Sequence, residues 1–159
     1  MSYSPALTAT VDLDAIAHNV DVLRETSGTD VLAVVKADAY GHGAVPVARA
    51  VLAAGAAELG TAHVTEALAL RAQGIDAHIT SWLHTSGTDF VAAIAADIDI
   101  AISSPRQLAA VIDAARSSSR TATVTVKVDT GLNRSGVAVD EWADFADDLA
   151  KANADGAVR

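Results

Sequence analysis

Two segments of this sequence place reactive side chains where an α/β protein builds its sites. In the first, Lys36 ends the apolar run Val31-Leu32-Ala33-Val34-Val35 and opens the turn Ala37-Asp38-Ala39-Tyr40-Gly41-His42-Gly43. An amine at the edge of a packed sheet is partly desolvated. That disfavours the ammonium form and frees the nitrogen to attack a carbonyl. Tyr40, four residues on, brings a phenol within reach of whatever Lys36 holds. Two glycines flank His42 and permit a tight, backbone-exposed turn. The bland alternative is a lysine snorkelling from a strand end into an ordinary glycine turn.

The second segment is Val126-Lys127-Val128-Asp129-Thr130-Gly131-Leu132-Asn133-Arg134-Ser135-Gly136. Strand alternation sets Thr123, Thr125, Lys127 and Asp129 on one face and Val124, Val126 and Val128 on the other, toward covering helices. A lysine on an enclosed polar face needs an anion or must lose its charge. Arg134, in the loop beyond, offers a permanent cation shaped for carboxylate or phosphate. The alternative is a surface loop with a solvated arginine and Asp129 paired to Lys127. The chain has three lysines against eight arginines, and two of the three are Lys36 and Lys127, both at expected strand ends.

The elements that must carry these residues alternate regularly. Strands are expected at Val31–Lys36, Glu58–Ala62, His78–Leu83, Asp99–Ser103 and Ala122–Val128. Helices are expected at Asp14–Thr26, Val45–Ala54, Thr65–Gln73 and Thr88–Ala96, then from a Ser104 cap with Pro105 and Gln107, and at Asp140–Lys151. The inward residues should be Ile16, Val20 and Leu23 in the first helix, and Trp142, Phe145 and Leu149 in the last. Five βα units imply a parallel sheet with right-handed crossovers. The spacing fits either a doubly wound sheet or part of a (β/α)8 barrel, which needs about 250 residues when whole. Either way, both segments follow the C-terminal ends of strands, where such folds bind ligands.

Composition narrows the partners. The chain has 159 residues, 51% apolar and 19% charged, enough for one globular domain with an alanine-rich core. A formal charge of −9 disfavours nucleic acid and anionic membranes. With no cysteine there is no disulfide or thiolate chemistry. No apolar run reaches the roughly 18–20 residues of a membrane span. Met1-Ser2-Tyr3-Ser4-Pro5 has no signal-peptide pattern, so the cytoplasm is the expected compartment.

The run Ala33-Val34-Val35-Lys36-Ala37-Asp38-Ala39-Tyr40-Gly41-His42-Gly43 resembles the pyridoxal-phosphate lysine motif of alanine racemases. Lys127-Val128-Asp129-Thr130-Gly131-Leu132-Asn133-Arg134-Ser135-Gly136 resembles that family's second signature. The resemblance covers the chain from Thr10 onward. It implies a (β/α)8 TIM-type barrel of fold type III, of which residues 1–159 would be a partial N-terminal domain, without the family's C-terminal β domain. It further implies a cytoplasmic homodimer that interconverts L- and D-alanine for peptidoglycan. Lys36 matches the lysine that condenses with the cofactor and serves as base on one face of the substrate Cα. Tyr40 matches a tyrosine on the cofactor phosphate. Arg134 matches the arginine near the cofactor's phenolic oxygen and the substrate carboxylate. Lys127 matches a lysine that is often carbamylated, which would turn it into an anion able to hold Arg134.

The family's arginine facing the pyridine nitrogen and its main phosphate cup would lie beyond Arg159. So would the opposite-face tyrosine, which a partner subunit contributes; Tyr3 and Tyr40 do not fit that role. The 159 residues alone are expected to be inactive and poorly folded. Rival readings are a racemase of broader amino-acid range, a non-catalytic pyridoxal-phosphate barrel, and a plain α/β binding module. Elsewhere, no metal site is expected: His42 reads as a solvent-facing turn residue. His63 and His84 read as site lining or surface, and Trp82 as packing. The acids Asp97 and Asp99 read as solvated, and His78 carries no signal.

Overall fold

The computed structural model describes residues 7–159, so Tyr3 and the rest of the N-terminal start lie outside it. The elements run α1 (Leu13–Ser27), β1 (Leu32–Val34), α2 (Lys36–Gly41), α3 (Ala44–Ala53), β2 (Glu58–Thr61) and α4 (Val64–Ala72). They continue with β3 (His78–Ser81), α5 (Phe90–Ala95), β4 (Asp99–Ile102), α6 (Pro105–Ser118), β5 (Val124–Val126) and α7 (Trp142–Ala154).

Local chemistry accounts for the helix ends. Asp12 accepts the N–H of Ala15 at 3.0 Å to start α1, and Gly28 closes it in the left-handed region at φ 64°. Ser104 accepts the N–H of Gln107 at 3.3 Å, with Pro105 following it at the start of α6. These starts and stops agree with the sequence expectation to within two residues, apart from the end of the last helix, which runs past the expected Lys151 to Ala154.

All four strand pairings are parallel, and the order across the sheet is β1-β2-β3-β4-β5. A doubly wound sheet reverses its order at a switch point and carries helices on both faces. This sheet never reverses. Val35, Leu59, Ile79, Ile100 and Ile102 join one core with the helices, while the other face stays uncovered by them. The architecture is the N-terminal part of a TIM barrel.

The uncovered face explains several differences from the sequence reading. The first strand is shorter than Val31–Lys36, and it is not buried on both sides. Leu32 and Val34 are 38% and 39% exposed because they point to the barrel interior, where five strands enclose little. Val124 and Val126 do pack against the core. Val128, however, is exposed at 44%, because β5 has ended and the chain there bridges to Val137. Leu23 also faces solvent, since Val20 and Ile16 already fill the α1 contact. Trp142 is half outside, stacked on buried Phe145 at 6.2 Å. On the interior face Asp99 is paired with His78, so neither is the idle surface group that the sequence suggested.

Candidate active site

Lys36 leaves the sheet on an unusual turn. Ala37, Asp38, Ala39 and Tyr40 all adopt left-handed backbone angles, with φ from 51° to 57°. Each non-glycine residue there costs about 1–2 kcal/mol. The two glycines at 41 and 43, expected to make the turn, only finish it. Strain of this kind persists where surrounding bonds over-determine it, and it clusters at functional sites. Here Ala39 donates its N–H to Val35 at 2.9 Å, and Gly43 donates to the Asp38 carbonyl at 2.9 Å. The Asp38 carboxylate accepts from the Ala44 N–H at 2.6 Å. His42, exposed as expected, turns Nδ1 back onto the Ala39 carbonyl at 2.8 Å. Ala37 donates to Glu66 Oε1 at 2.7 Å. The outcome is that half-buried Lys36 holds its Nζ 5.7 Å from the centre of the exposed Tyr40 ring.

The second segment is built differently. Lys127 Nζ donates to Ser135 Oγ at 3.0 Å. Asp129 does not pair with Lys127, as one sequence reading supposed. Its Oδ1 accepts the N–H groups of Gly131 at 2.9 Å and Asn133 at 3.0 Å. Those bonds, Gly131 first, hold its carboxyl below the usual aspartate range. Val137 closes the loop by donating to the Lys127 carbonyl at 2.8 Å and accepting from the Asp129 N–H at 3.0 Å. Gly136 sits where a Cβ would come within 2.5 Å of the Asp129 nitrogen.

Arg134 rises from this loop into a cavity of about 590 Å³ at the ends of β3, β4 and β5, beside Trp82, His84, Ser103 and Gln107. His63 lines the same cavity, so both histidines placed there by the sequence reading do border it. Lys36, Tyr40 and Lys127 do not line it. The structure thus brings Arg134 together with the β3 and β4 ends, and leaves Lys36 at the far side of the sheet. Trp82 links the two regions. Its ring lies across β2 above Gly60 and beside Leu32, and a Cβ at Gly60 would meet it at 2.4 Å.

His84 has both ring nitrogens buried without a partner and meets the Phe90 ring edge-on at 5.2 Å. Burial pushes its pKa down; the carbonyls of Ser81 and Ala101, near the ring but out of hydrogen-bonding geometry, oppose this only partly. The imidazole is therefore neutral at pH 7.

Among the described residues the ion pairs are His78–Asp99, Arg116–Asp155, Arg120–Asp97 and Lys151–Asp148. Lys36, Lys127 and Arg134 belong to none. An unpaired amine, a phenol beside it and an unpaired guanidinium suit an anionic carbonyl compound. Sequence reasoning overlooked two contributors. Gln107 was taken only as a helix-start residue, yet its Oε1 accepts from the Ser103 N–H at 2.8 Å and its Nε2 donates to the His84 carbonyl at 3.3 Å. Glu66 gave a faint signal, a glutamate three residues after the helix-start residue His63, but His63 is not a usual cap residue and hid it.

The chain matches the alanine racemase N-terminal domain family over residues 11–158. It is 62% identical over 150 residues to an alanine racemase of Mycolicibacterium smegmatis, covering 94% of this chain and 39% of that protein. It is 56% identical to one of Mycobacterium tuberculosis, covering 100% of this chain and 42% of that protein. Among solved structures, alanine racemase from D-cycloserine-producing Streptomyces lavendulae superposes with a TM-score of 0.91 at 48% identity, over 94% of this chain and 39% of that one. A histidine racemase from Leuconostoc mesenteroides superposes with a TM-score of 0.80 at 30% identity, over 92% and 39%. The chain therefore spans about 39% of the length of the first relatives that it matches.

Proposed function

As the chain belongs to the alanine racemase N-terminal domain family, we propose that the whole protein interconverts L-alanine and D-alanine with pyridoxal phosphate, and that residues 1–159 form one partial barrel domain of it. The observation that carries this reading is the Lys36 amine, unpaired by any carboxylate and held on a strained turn beside a phenol. When bound, pyridoxal phosphate supplies an electron sink for charge that develops at the substrate Cα.

In this reading the Lys36 nitrogen holds the cofactor and carries the Cα proton on one face of the substrate. Tyr40 reaches the phosphate. Arg134 binds the substrate carboxylate with its planar fork and lies near the cofactor's phenolic oxygen. Lys127, half-buried and without a carboxylate partner, is a candidate for carbamylation. Its neutral amine would add carbon dioxide and release a proton, giving an anion for Arg134. Inversion needs a second acid–base group on the opposite face, which the family resemblance assigns to a tyrosine of a partner subunit in a homodimer. The cytoplasm remains the proposed compartment. Among the described residues no helix is long and apolar enough to cross a membrane.

Borohydride trapping tests the central assignment. The full-length protein is incubated with pyridoxal phosphate, reduced and digested, and the pyridoxyl mass is expected on Lys36. Its appearance on another lysine, or nowhere, would sink the reading. A racemase of broader range is the second reading, favoured by the likeness to a histidine racemase. Racemisation rates with alanine, serine, lysine and histidine separate the two.

A further inference from the structure

Glu66 lies outside the cavity that holds Arg134, yet its carboxylate reaches two strand ends at once. Oε2 accepts the N–H groups of Ala62 and His63, each at 2.9 Å, at the end of β2. The bond to His63 is the ordinary reach of a helix-start glutamate back to its cap. Oε1 does something else. It accepts the N–H of Ala37 at 2.7 Å, across 29 residues of sequence. Ala37 is the first left-handed residue, directly after Lys36.

The other hydrogen bonds of the turn are local: they stay within it or reach only the start of α3, at Ala44 and Val47. Among the described residues, the bond to Glu66 is the one hydrogen bond that ties Ala37–Gly43 to an element distant in sequence. It also acts at a sensitive place. The N–H of Ala37 is set by the ψ angle of Lys36, so holding it fixes the direction in which the Lys36 side chain leaves the sheet. Burial raises the Glu66 pKa, but its bonds from His63, Ala37 and Ala62 together outweigh that and lower it. Glu66 is thus ionised at neutral pH and makes charge-assisted bonds, the stronger kind.

We propose that Glu66 is a positioning residue, whose carboxylate braces the Lys36 turn against the end of β2 and so aims the Lys36 amine. The inference rests on the reading of Lys36 as the cofactor lysine. It gives the strained turn an external support, which its own local bonds do not provide.

The test uses full-length protein stripped of cofactor, with Glu66→Gln and Glu66→Ala variants. Asp89→Ala serves as comparator, because Asp89 caps α5 through the Ala92 N–H at 2.9 Å, a helix start with no bond to the Lys36 turn. Two quantities are read: amide exchange at Ala37, and the rate at which pyridoxal phosphate condenses with Lys36, losing one water, as trapped by borohydride. Glu66→Ala is expected to speed exchange at Ala37 and to slow trapping about tenfold, since small displacements of a reacting group are costly. Glu66→Gln keeps one acceptor oxygen and should fall between. Asp89→Ala should lower thermal stability while leaving both quantities unchanged.

Wild-type trapping in Glu66→Ala, or equal slowing in Asp89→Ala, overturns the proposal. Should neither Glu66 variant fold, exchange in the unsubstituted protein decides: Ala37 protected like the β2 amides supports the brace, and Ala37 exchanging like an exposed amide overturns it. Failure of the unsubstituted protein to trap pyridoxal phosphate on Lys36 would remove the cofactor reading instead, while amide exchange still judges the brace.

Discussion

The Lys36 turn and the Lys127–Gly136 loop both follow strand ends and both present a cation, but they are held by opposite means. The turn is strained over four left-handed residues and braced from α4 by Glu66. The loop is relaxed by comparison and pinned by its own Asp129, which gathers two amides within four residues. As a result Lys36 is half-buried with a set direction, while Arg134 is exposed at the tip of a locally closed loop. An amine that must meet one carbon from one side repays rigid placement. A guanidinium that recognises an anion can be fixed by the ligand it binds.

The widest expected gap between the two regions comes from removing the amine. Lys36→Ala in the full-length protein should lower the racemisation rate by about 10³-fold or more and abolish borohydride trapping. Arg134→Ala should leave trapping intact. If instead both variants trap equally well, the contrast between a chemical turn and a binding loop is wrong.

Next in size is Gly136→Ala. A Cβ there meets the Asp129 nitrogen at 2.5 Å, at φ 144°, so the backbone must shift. A loss of about 2–3 kcal/mol is expected from the urea midpoint, by analogy with overpacking and positive-φ substitutions. The defect should stay in the loop: the alanine KM should rise while pyridoxal phosphate still reaches Lys36.

Arg134→Lys keeps the charge but loses the fork. The KM for alanine should rise about tenfold with a smaller change in kcat, as expected where bidentate recognition is lost. An unchanged KM would mean that the arginine is only solvated, as the bland sequence reading allowed.

The smallest effect concerns pH. The Asp129 carboxyl titrates below its ordinary value, so its unfolded-state pKa is the higher of the two. Its bonds to Gly131 and Asn133 are therefore fully present above the unfolded value and are lost as pH falls through the folded one. Protection of the Gly131 and Asn133 amides, measured as exchange relative to the unstructured chain at each pH, should persist at neutral pH and be lost only below the usual carboxylate range. Asp129→Asn should show little of that dependence. Exchange at Ala37, held by Glu66, provides the comparison in the other region.

Much of the candidate site could be proposed from sequence because its signals are local. A lysine closing an apolar run, a tyrosine four residues on, and a lysine and arginine seven apart after another strand are patterns that spacing alone exposes. The strand–helix alternation was equally plain, since buried periodicity is written along the chain. The misreadings arose where a residue's environment comes from distant segments. Leu32 and Val34 look like a doubly buried strand, but burial depends on what covers the second face. His78 and Asp99 looked idle because the register of β3 against β4 is what brings them together. Glu66 went unnoticed because its most telling bond crosses to the first βα unit.

The order of residues alone therefore specified which side chains sit at strand ends and which element each occupies, since hydrophobic periodicity and capping act over a few residues. Folding added what no short window contains. It set the unreversed strand order that makes this part of a barrel, and it set the left-handed path that carries the Lys36 amine. Both follow from hydrogen bonds between segments far apart in sequence, and such bonds exist only once the sheet has assembled.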